Sequence, residues 1–410
     1  MSSVNDNILR SYAELIVKVG INPDPGQQVV ITANVEEYEF ARIVAEECYK
    51  NQVSKVVFNW CDMPLEKLHQ HYQSEDTLSR FEDWEIAKLK WQADTLPARI
   101  WLDSDDPDGM DGVDQGKRTR AQMAKFPVIK PFREAMENRH QWCIAGVPGK
   151  NWAKKVFPGI PECEAVAKLW DAVLFAARAK GDAIANWDEH NKEIHRRAEQ
   201  LNKYNFKALK YHSANGTDFT VGLMPQGIFA GAAEKDLQGR VFNPNIPSEE
   251  IFTTPQKGVA DGLLVATKPL SWQGALIEDF SIRFANGRAV EVKASRGGDV
   301  LKKMISMDDG AAYLGECALI SKKSPINQSG ILFYNTLFDE NACCHLALGK
   351  GFDNCVRDYA DYTRQQLSDM GVNDSMIHVD FMIGSDDLDI TGILPDGGEV
   401  EVFRNGDWCF

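Results

Sequence analysis

The chain has 410 residues, 44% of them hydrophobic and 26% charged, which excludes a disordered, collagenous or disulfide-stapled miniature protein. Its formal net charge of −15 repels phosphate backbones, so no nucleic-acid partner is expected, and it suits a protein that collects cations. No apolar run approaches the roughly 18–20 residues of a membrane helix, so no membrane partner is expected either.

The opening MSSVNDNILRSYAELIVKVG lacks a basic segment followed by an apolar one, so no secretory signal is visible. Residues 8–19 read as an amphipathic helix, with Ile8, Tyr12, Leu15, Ile16 and Val19 at helical spacing. Residues 28–33 and 55–60 read as strands around a helix at 35–49. Two further strands are expected at 96–102 and 141–145, separated by a helical stretch at 116–138. Strand and helix in alternation indicate a parallel sheet flanked by helices. Residues 162–179 and 186–204 read as long helices, and the domain junction is expected within 181–206. Beyond it, short β-rich runs dominate: 208–212, 218–223, 289–293, 330–334, 378–383 and 400–403, with one helical segment at 358–370. The expected architecture is an α/β N-terminal domain, 1–190, and a β-rich α+β C-terminal catalytic domain, 191–410.

Nine cysteines, an odd number with no CxxC pair, fit reduced thiols in a cytoplasmic protein. There is no phosphate loop, no HExxH and no GxSxG. His69, His71, His140, His190, His195 and His212 lie in polar surroundings and read as exposed or locally bonded.

The chemistry concentrates in the second half. In MIHVDFMIGS, His378 and Asp380 stand two apart on an apolar strand and so share a face. Burying them requires a partner, which is either their mutual hydrogen bond or a metal ion. His345 sits in CCHLALG with no other charged side chain, and Glu340 precedes it. Glu316 is a lone carboxylate inside YLGECALI, and a buried glutamate is rare unless paired or metal-bound. Glu250 leads into Ile251-Phe252 in the same way. Six oxygen and nitrogen donors exceed one tetrahedral zinc and suit two divalent ions with a shared carboxylate. With no thiolate among them, zinc, cobalt or manganese are the expected ions.

These motifs carry a resemblance. The segments NIPSEEIFTTP, YLGECALI, NTLFDENACCHLALG and HVDFMIGS, together with NWAKKVFPG and the ending VFRNGDW, resemble the metallo-aminopeptidase family of thermophilic aminopeptidase T and staphylococcal aminopeptidase S. The resemblance implies a two-domain exopeptidase acting on peptides with a free N-terminus through a metal-bound hydroxide, and a homodimer. It implies that Glu250 and Asp380 hold one metal, that Glu340, His345 and His378 hold the other, and that Glu316 bridges both and is catalytic. Glu249 and Asp339, beside ligands, are candidates for binding the substrate amine or moving a proton. Where the family has a functional tyrosine, seven residues after the motif histidine, this chain has Phe352. The rival expectations are another two-metal hydrolase, a deacylase or phosphoesterase, and a metal-binding homologue with reduced catalysis because of Phe352.

Overall fold

The computed structural model describes residues 5–272 and 275–410. It falls into two compact units, Met1–Asp188 with Ala233–Pro247, and Glu189–Ala232 with Ser248–Phe410. The chain passes between them inside the helix Ala183–Tyr204. Among the described residues, no helix is long and apolar enough to cross a membrane.

The first unit is built on a five-stranded parallel sheet. Its strands are β1 (Gln28–Asn34), β2 (Lys55–Cys61), β3 (Ala98–Asp103) and β4 (Trp142–Gly146), in the order β2-β1-β3-β4, completed by the short strand Asn245–Ile246 beside β4. Residues 29–33 of β1 are all buried, as expected of a parallel strand covered on both faces. Helices cover the sheet. Tyr12, on Asp6–Leu15, stacks on Phe40 of Tyr38–Lys50 at 5.6 Å, and Trp170 of Glu162–Ala176 meets Phe40 edge-on at 5.5 Å. The Tyr12 hydroxyl donates to the Gly146 carbonyl at 3.0 Å, which satisfies that buried phenol.

Three helices in 63–95 were not apparent from periodicity: Met63–Tyr72, Glu75–Leu78 and Asp83–Thr95. Their apolar residues do not form a buried stripe; Leu65, Leu68 and Trp84 are exposed. Their start signals are present all the same. Asp62 accepts from Leu65 N, Ser74 accepts from Thr77 N, and Glu82 with Glu85 forms a capping box.

The second unit is antiparallel. An eight-stranded sheet runs in the order 288–293, 281–285, 255–265, 218–223, 208–212, 389–393, 399–404, 407–408. A second sheet has four strands: β5 (Ile251–Thr253), β6 (Leu314–Leu319), β7 (His345–Gly349) and β8 (His378–Met382) in sequential order. One large apolar core serves this unit and includes Phe219, Phe280, Phe284 and Phe381.

Residues 330–334 do not form the expected strand. Gly330 ends the helix Pro325–Ser329 in the left-handed region at φ 65°, and Tyr334 is also left-handed at φ 53°. The Asp339 carboxylate then accepts from Phe333 N at 2.8 Å and Asn335 N at 3.1 Å. Backbone groups that a strand partner would have used go to a side chain instead.

Glu37, between β1 and the helix that follows, carries a carboxyl pushed up to about 7 by burial and by the neighbouring Glu36 charge. A carboxyl raised in the folded state stabilises most below its unfolded pKa, near 4.5, and that contribution fades as pH rises through 7. Glu37→Gln should therefore be neutral at pH 4 and stabilising by about 1–2 kcal/mol at pH 8, after discounting for partial exposure. Urea unfolding at the two pH values reads this; an equal effect at both would contradict it.

Candidate metal centre

The four-stranded sheet places the ionisable residues by register. Glu316 on β6 faces Ala347 on β7, and Ala347 faces Asp380 on β8. His345 lies two residues before Ala347 and His378 two before Asp380, so all four ionisable side chains share one face. The positions between them are the two smallest residues: Ala347 separates Glu316 from Asp380, and Gly349 stands opposite His378. Nothing bulky intervenes. The strands themselves are almost wholly buried, every residue of β6 and β7 included.

Glu250 enters from the segment before β5. That segment is held by Asn341, whose Oδ1 accepts from Glu249 N at 2.7 Å and whose Nδ2 donates to Leu337 O at 2.9 Å. Glu340 begins the short helix Glu340–Ala342, so it reaches the same region from a third direction.

The ligating atoms of Glu250, Glu316 and His345 lie within 4.8 Å of one another, and so do those of Glu316, His378 and Asp380. Glu316 belongs to both groups. Glu340 belongs to neither, although its carboxyl is pushed well above the usual range by burial and then by the Asp380 and Glu250 charges. This grouping places Glu250 with His345, whereas the family resemblance places it with Asp380.

Both imidazoles are oriented alike. His345 Nδ1 lies 2.9 Å from the Glu340 carbonyl oxygen, and His378 Nδ1 lies 2.7 Å from the Lys350 carbonyl oxygen. Each contact requires its proton on Nδ1. Each Nε2 is thereby turned into the carboxylate cluster: His345 Nε2 is 3.4 Å from Glu250 and 3.9 Å from Asp380, and His378 Nε2 is 3.1 Å from Glu316 and 3.3 Å from Asp380. A backbone carbonyl behind the imidazole and the free nitrogen forward is the usual outer-shell arrangement of a metal-binding histidine. Asp380 Oδ1 is buried and has no hydrogen-bond partner.

The charges do not balance internally. Burial pushes the Glu316 carboxyl up to about 7 against the His378 hydrogen bond, with Glu250 and Asp380 adding to the rise. Burial opposes charge on His345, but the Glu250 hydrogen bond and the surrounding carboxylates hold it well above the ordinary imidazole range. His378 is raised likewise, by Asp380 first. Asp380 is resisted by burial yet brought down to about 2 by the His378 and His345 imidazoles. Four carboxylates against two imidazoles leave surplus negative charge in a water-poor place, which a divalent cation would neutralise. The donor set, oxygen and imidazole nitrogen with an orphan carboxylate oxygen, fits such a cation.

Comparison with known proteins gives the family of the chain. The profile of the thermophilic metalloprotease family, M29, matches residues 5–408. The chain belongs to that family. It is therefore a metal-dependent peptidase. It is 39% identical over 404 residues to aminopeptidase AmpS of Bacillus subtilis, covering 98% of each chain. It is 37% identical to aminopeptidase T of Thermus aquaticus over the full length of both. The solved structure of wild-type AmpT from Thermus thermophilus superposes with a TM-score of 0.91 at 35% identity, covering 99% of this chain and all of that one.

One expectation about a neighbouring residue changes. Asp339 is committed to the 333–335 backbone and fastens the loop beside Glu340. Phe352 presents an apolar ring, 4.9 Å from the His378 ring and 5.2 Å from Phe252. Sequence reasoning missed three supporting residues. Thr254 donates to Gly315 O at 2.8 Å and accepts from Phe352 N at 3.2 Å. Asn373 donates to Gly349 O at 2.6 Å, and Asn341 positions Glu250 as described. Of the three, only Asn341, next to Glu340, stands beside a candidate ligand in the sequence.

Gly349 is required by geometry. At φ 102° a Cβ there would lie 2.0 Å from the Ile377 carbonyl oxygen. Gly349→Ala should lower stability by about 2–4 kcal/mol and displace the Lys350 carbonyl that orients His378. Thermal unfolding checks this; an unchanged melting temperature would refute it.

Proposed function

We propose that this chain is an aminopeptidase that removes N-terminal residues from peptides with a free N-terminus. It works with two divalent ions, zinc, cobalt or manganese, held by Glu250, Glu316, Glu340, His345, His378 and Asp380. The observation that carries this reading is the pair of imidazoles whose Nδ1 atoms are tied to backbone carbonyls and whose Nε2 atoms face Glu316, Asp380 and Glu250. The names of the relatives supply the substrate class.

Glu316 would contribute to both ion sites, because it belongs to both candidate groups. Divalent ions held there would supply Lewis-acid chemistry, lowering the pKa of water and polarising the scissile carbonyl. Glu316 is the residue we assign to carry a proton to the leaving amine, since it lies at the centre of the cluster and bonds His378. The Lys350 and Glu340 carbonyls keep both imidazoles in the tautomer that presents Nε2. Phe352 packs on His378 and offers no hydrogen-bond donor, so no phenol assists the developing oxyanion at that position. A phosphoesterase reading lacks its cationic clamp: among the described residues, these carboxylates pair with His345 and His378 rather than with lysine or arginine.

We also propose a homodimer in the cytoplasm. The cytoplasmic setting is supported by nine cysteines, none of them in a disulfide. Light scattering that returns the mass of one chain would contradict the dimer.

Glu316→Ala should abolish hydrolysis of aminoacyl chromogenic substrates and remove both ions, whereas Glu250→Ala should chiefly weaken one. Plasma emission on the purified variants, beside activity on N-acetylated and phosphate-ester controls, tests this. Two tightly held ions and undiminished turnover in Glu316→Ala would overturn the assignment.

Phe352→Tyr restores a donor beside His378 and should raise kcat by about tenfold or more with little effect on stability. If kcat is unchanged, Phe352 does not limit catalysis in this chain.

A further inference from the structure

The metal cluster leaves a second, larger cavity without a role. It lies in the first unit and measures about 510 Å³. Its walls come from the segments that follow all four strands β1 to β4: Glu36 and Glu37 after β1, Asp62 and Lys67 after β2, Ser104 after β3 and Lys150 after β4. The strands are parallel, so these segments share the carboxyl edge of the sheet.

The position is determined by topology. The chain leaves β1 to form β2 on one side and then β3 on the other. Connections after β1 and after β3 therefore run apart, and a crevice opens between them. In open α/β sheets, ligands bind in the crevice outside the carboxyl ends at such a switch point. Here Asn34 Nδ2, at the end of β1, donates to Ser104 Oγ, just past β3, at 2.8 Å. That bond fixes the crevice before any ligand arrives. Gly149 keeps the opening clear; a Cβ there would lie 3.1 Å from Ser104 O and 3.5 Å from Glu37 Oε1.

The lining selects the ligand. The turn after β1 reads Asn34-Val35-Glu36-Glu37, with no glycine-rich phosphate cradle and two carboxylates where an anion would rest. Phosphate-bearing cofactors are therefore disfavoured. Asp62 is already used, accepting from Leu65 N at 3.1 Å. Glu36, Glu37, Lys67 and Lys150 form no ion pair among the described residues, although the Lys150 charge acts on Glu37 across the crevice. Two unpaired carboxylates call for an ammonium, and two unpaired lysines call for a carboxylate.

We propose that this crevice binds a small zwitterion with a free ammonium and a free carboxylate, an α-amino acid or a dipeptide. Glu37, supported by Glu36, takes the ammonium, and Lys150 with Lys67 takes the carboxylate. This is the chemical class released by peptide hydrolysis, but the recognition argued here uses only the crevice's own charges and does not rest on the metal-centre reading.

Isothermal titration of the full-length Glu316→Ala chain separates the two. L-leucine should bind with a Kd on the order of 1 mM or tighter. N-acetyl-L-leucine, without the ammonium, and L-leucinamide, without the carboxylate, should each bind at least about tenfold more weakly. Adding Glu37→Gln or Lys150→Met should weaken L-leucine by a similar factor; if Glu37→Gln does not fold, Lys67→Met reads the same crevice. Tighter binding of L-leucyl-L-leucine than of L-leucine assigns the site to dipeptides, and the reverse assigns it to free amino acids. The proposal is overturned by no saturable binding at about 10 mM, by affinity unaffected by all three crevice variants, or by inorganic phosphate binding better than L-leucine. Hydrolysis of L-leucinamide during the titration would count instead against the role given to Glu316.

Discussion

Glu250, Glu316, Glu340 and Asp380 crowd around two imidazoles in a sheet whose strands have almost no exposed residue. Their charges cannot satisfy one another. Burial raises Glu316 and Glu340 while the imidazoles lower Asp380, so the groups divide into protonated and ionised members. Such a cluster destabilises a metal-free fold, because desolvated like charges repel more strongly than in water. A cation reverses the sign, and its binding energy becomes part of the stability of this unit. The rest of the site serves that constraint: carbonyls orient the imidazoles, and Asn341 fixes the segment bearing Glu250.

Much of this was legible in the sequence, and for physical reasons. The strands at 208–212 and 218–223 have the expected limits, because alternation bounded by Gly, Asn and Asp is a strong strand signal. His378 and Asp380 were assigned to one face because a strand has period two, and they lie on one face. What could not be read was anything that depends on a partner strand. Ala347 and Gly349 matter because they stand opposite Glu316, Asp380 and His378, and no local pattern announces that. The segment 330–334 is apolar enough for a strand, yet Asp339 takes its amides, a contact that becomes visible only once the chain has turned. The helices within 63–95 lack a buried stripe, so periodicity missed them although their caps were written in Asp62, Ser74 and Glu82. The segment 233–247 returns to the first unit, where Asn245–Ile246 extends the parallel sheet, and two paired residues leave no periodicity to find.

The four-stranded sheet has two faces with opposite demands. Cys317, Leu319, Leu346, Leu348, Val379 and Phe381 belong to the large apolar core. The residues between them along the same strands, Glu316, His345, Ala347, His378 and Asp380, face the carboxylate and imidazole cluster. The apolar face is what fixes the register. Burying a leucine or phenylalanine is worth about 1.5–3 kcal/mol each, and several act together on this sheet. The polar face contributes repulsion until a cation binds, so it cannot fix its own geometry in advance.

A slip of one residue would exchange the faces, placing leucines at the site and carboxylates in the core. That penalty is far larger than the repulsion within the cluster, since each unpaired buried charge costs several kcal/mol. Hydrophobic burial therefore holds Glu316, His345, His378 and Asp380 together before any ion is present. Preorganisation of this kind explains how a cluster that is unfavourable by itself can persist in one arrangement. It also explains why the residues that matter most for its shape, Ala347 and Gly349, carry no functional group: they keep the space between the ligands open, while their neighbours Leu346 and Leu348 anchor the strand from behind.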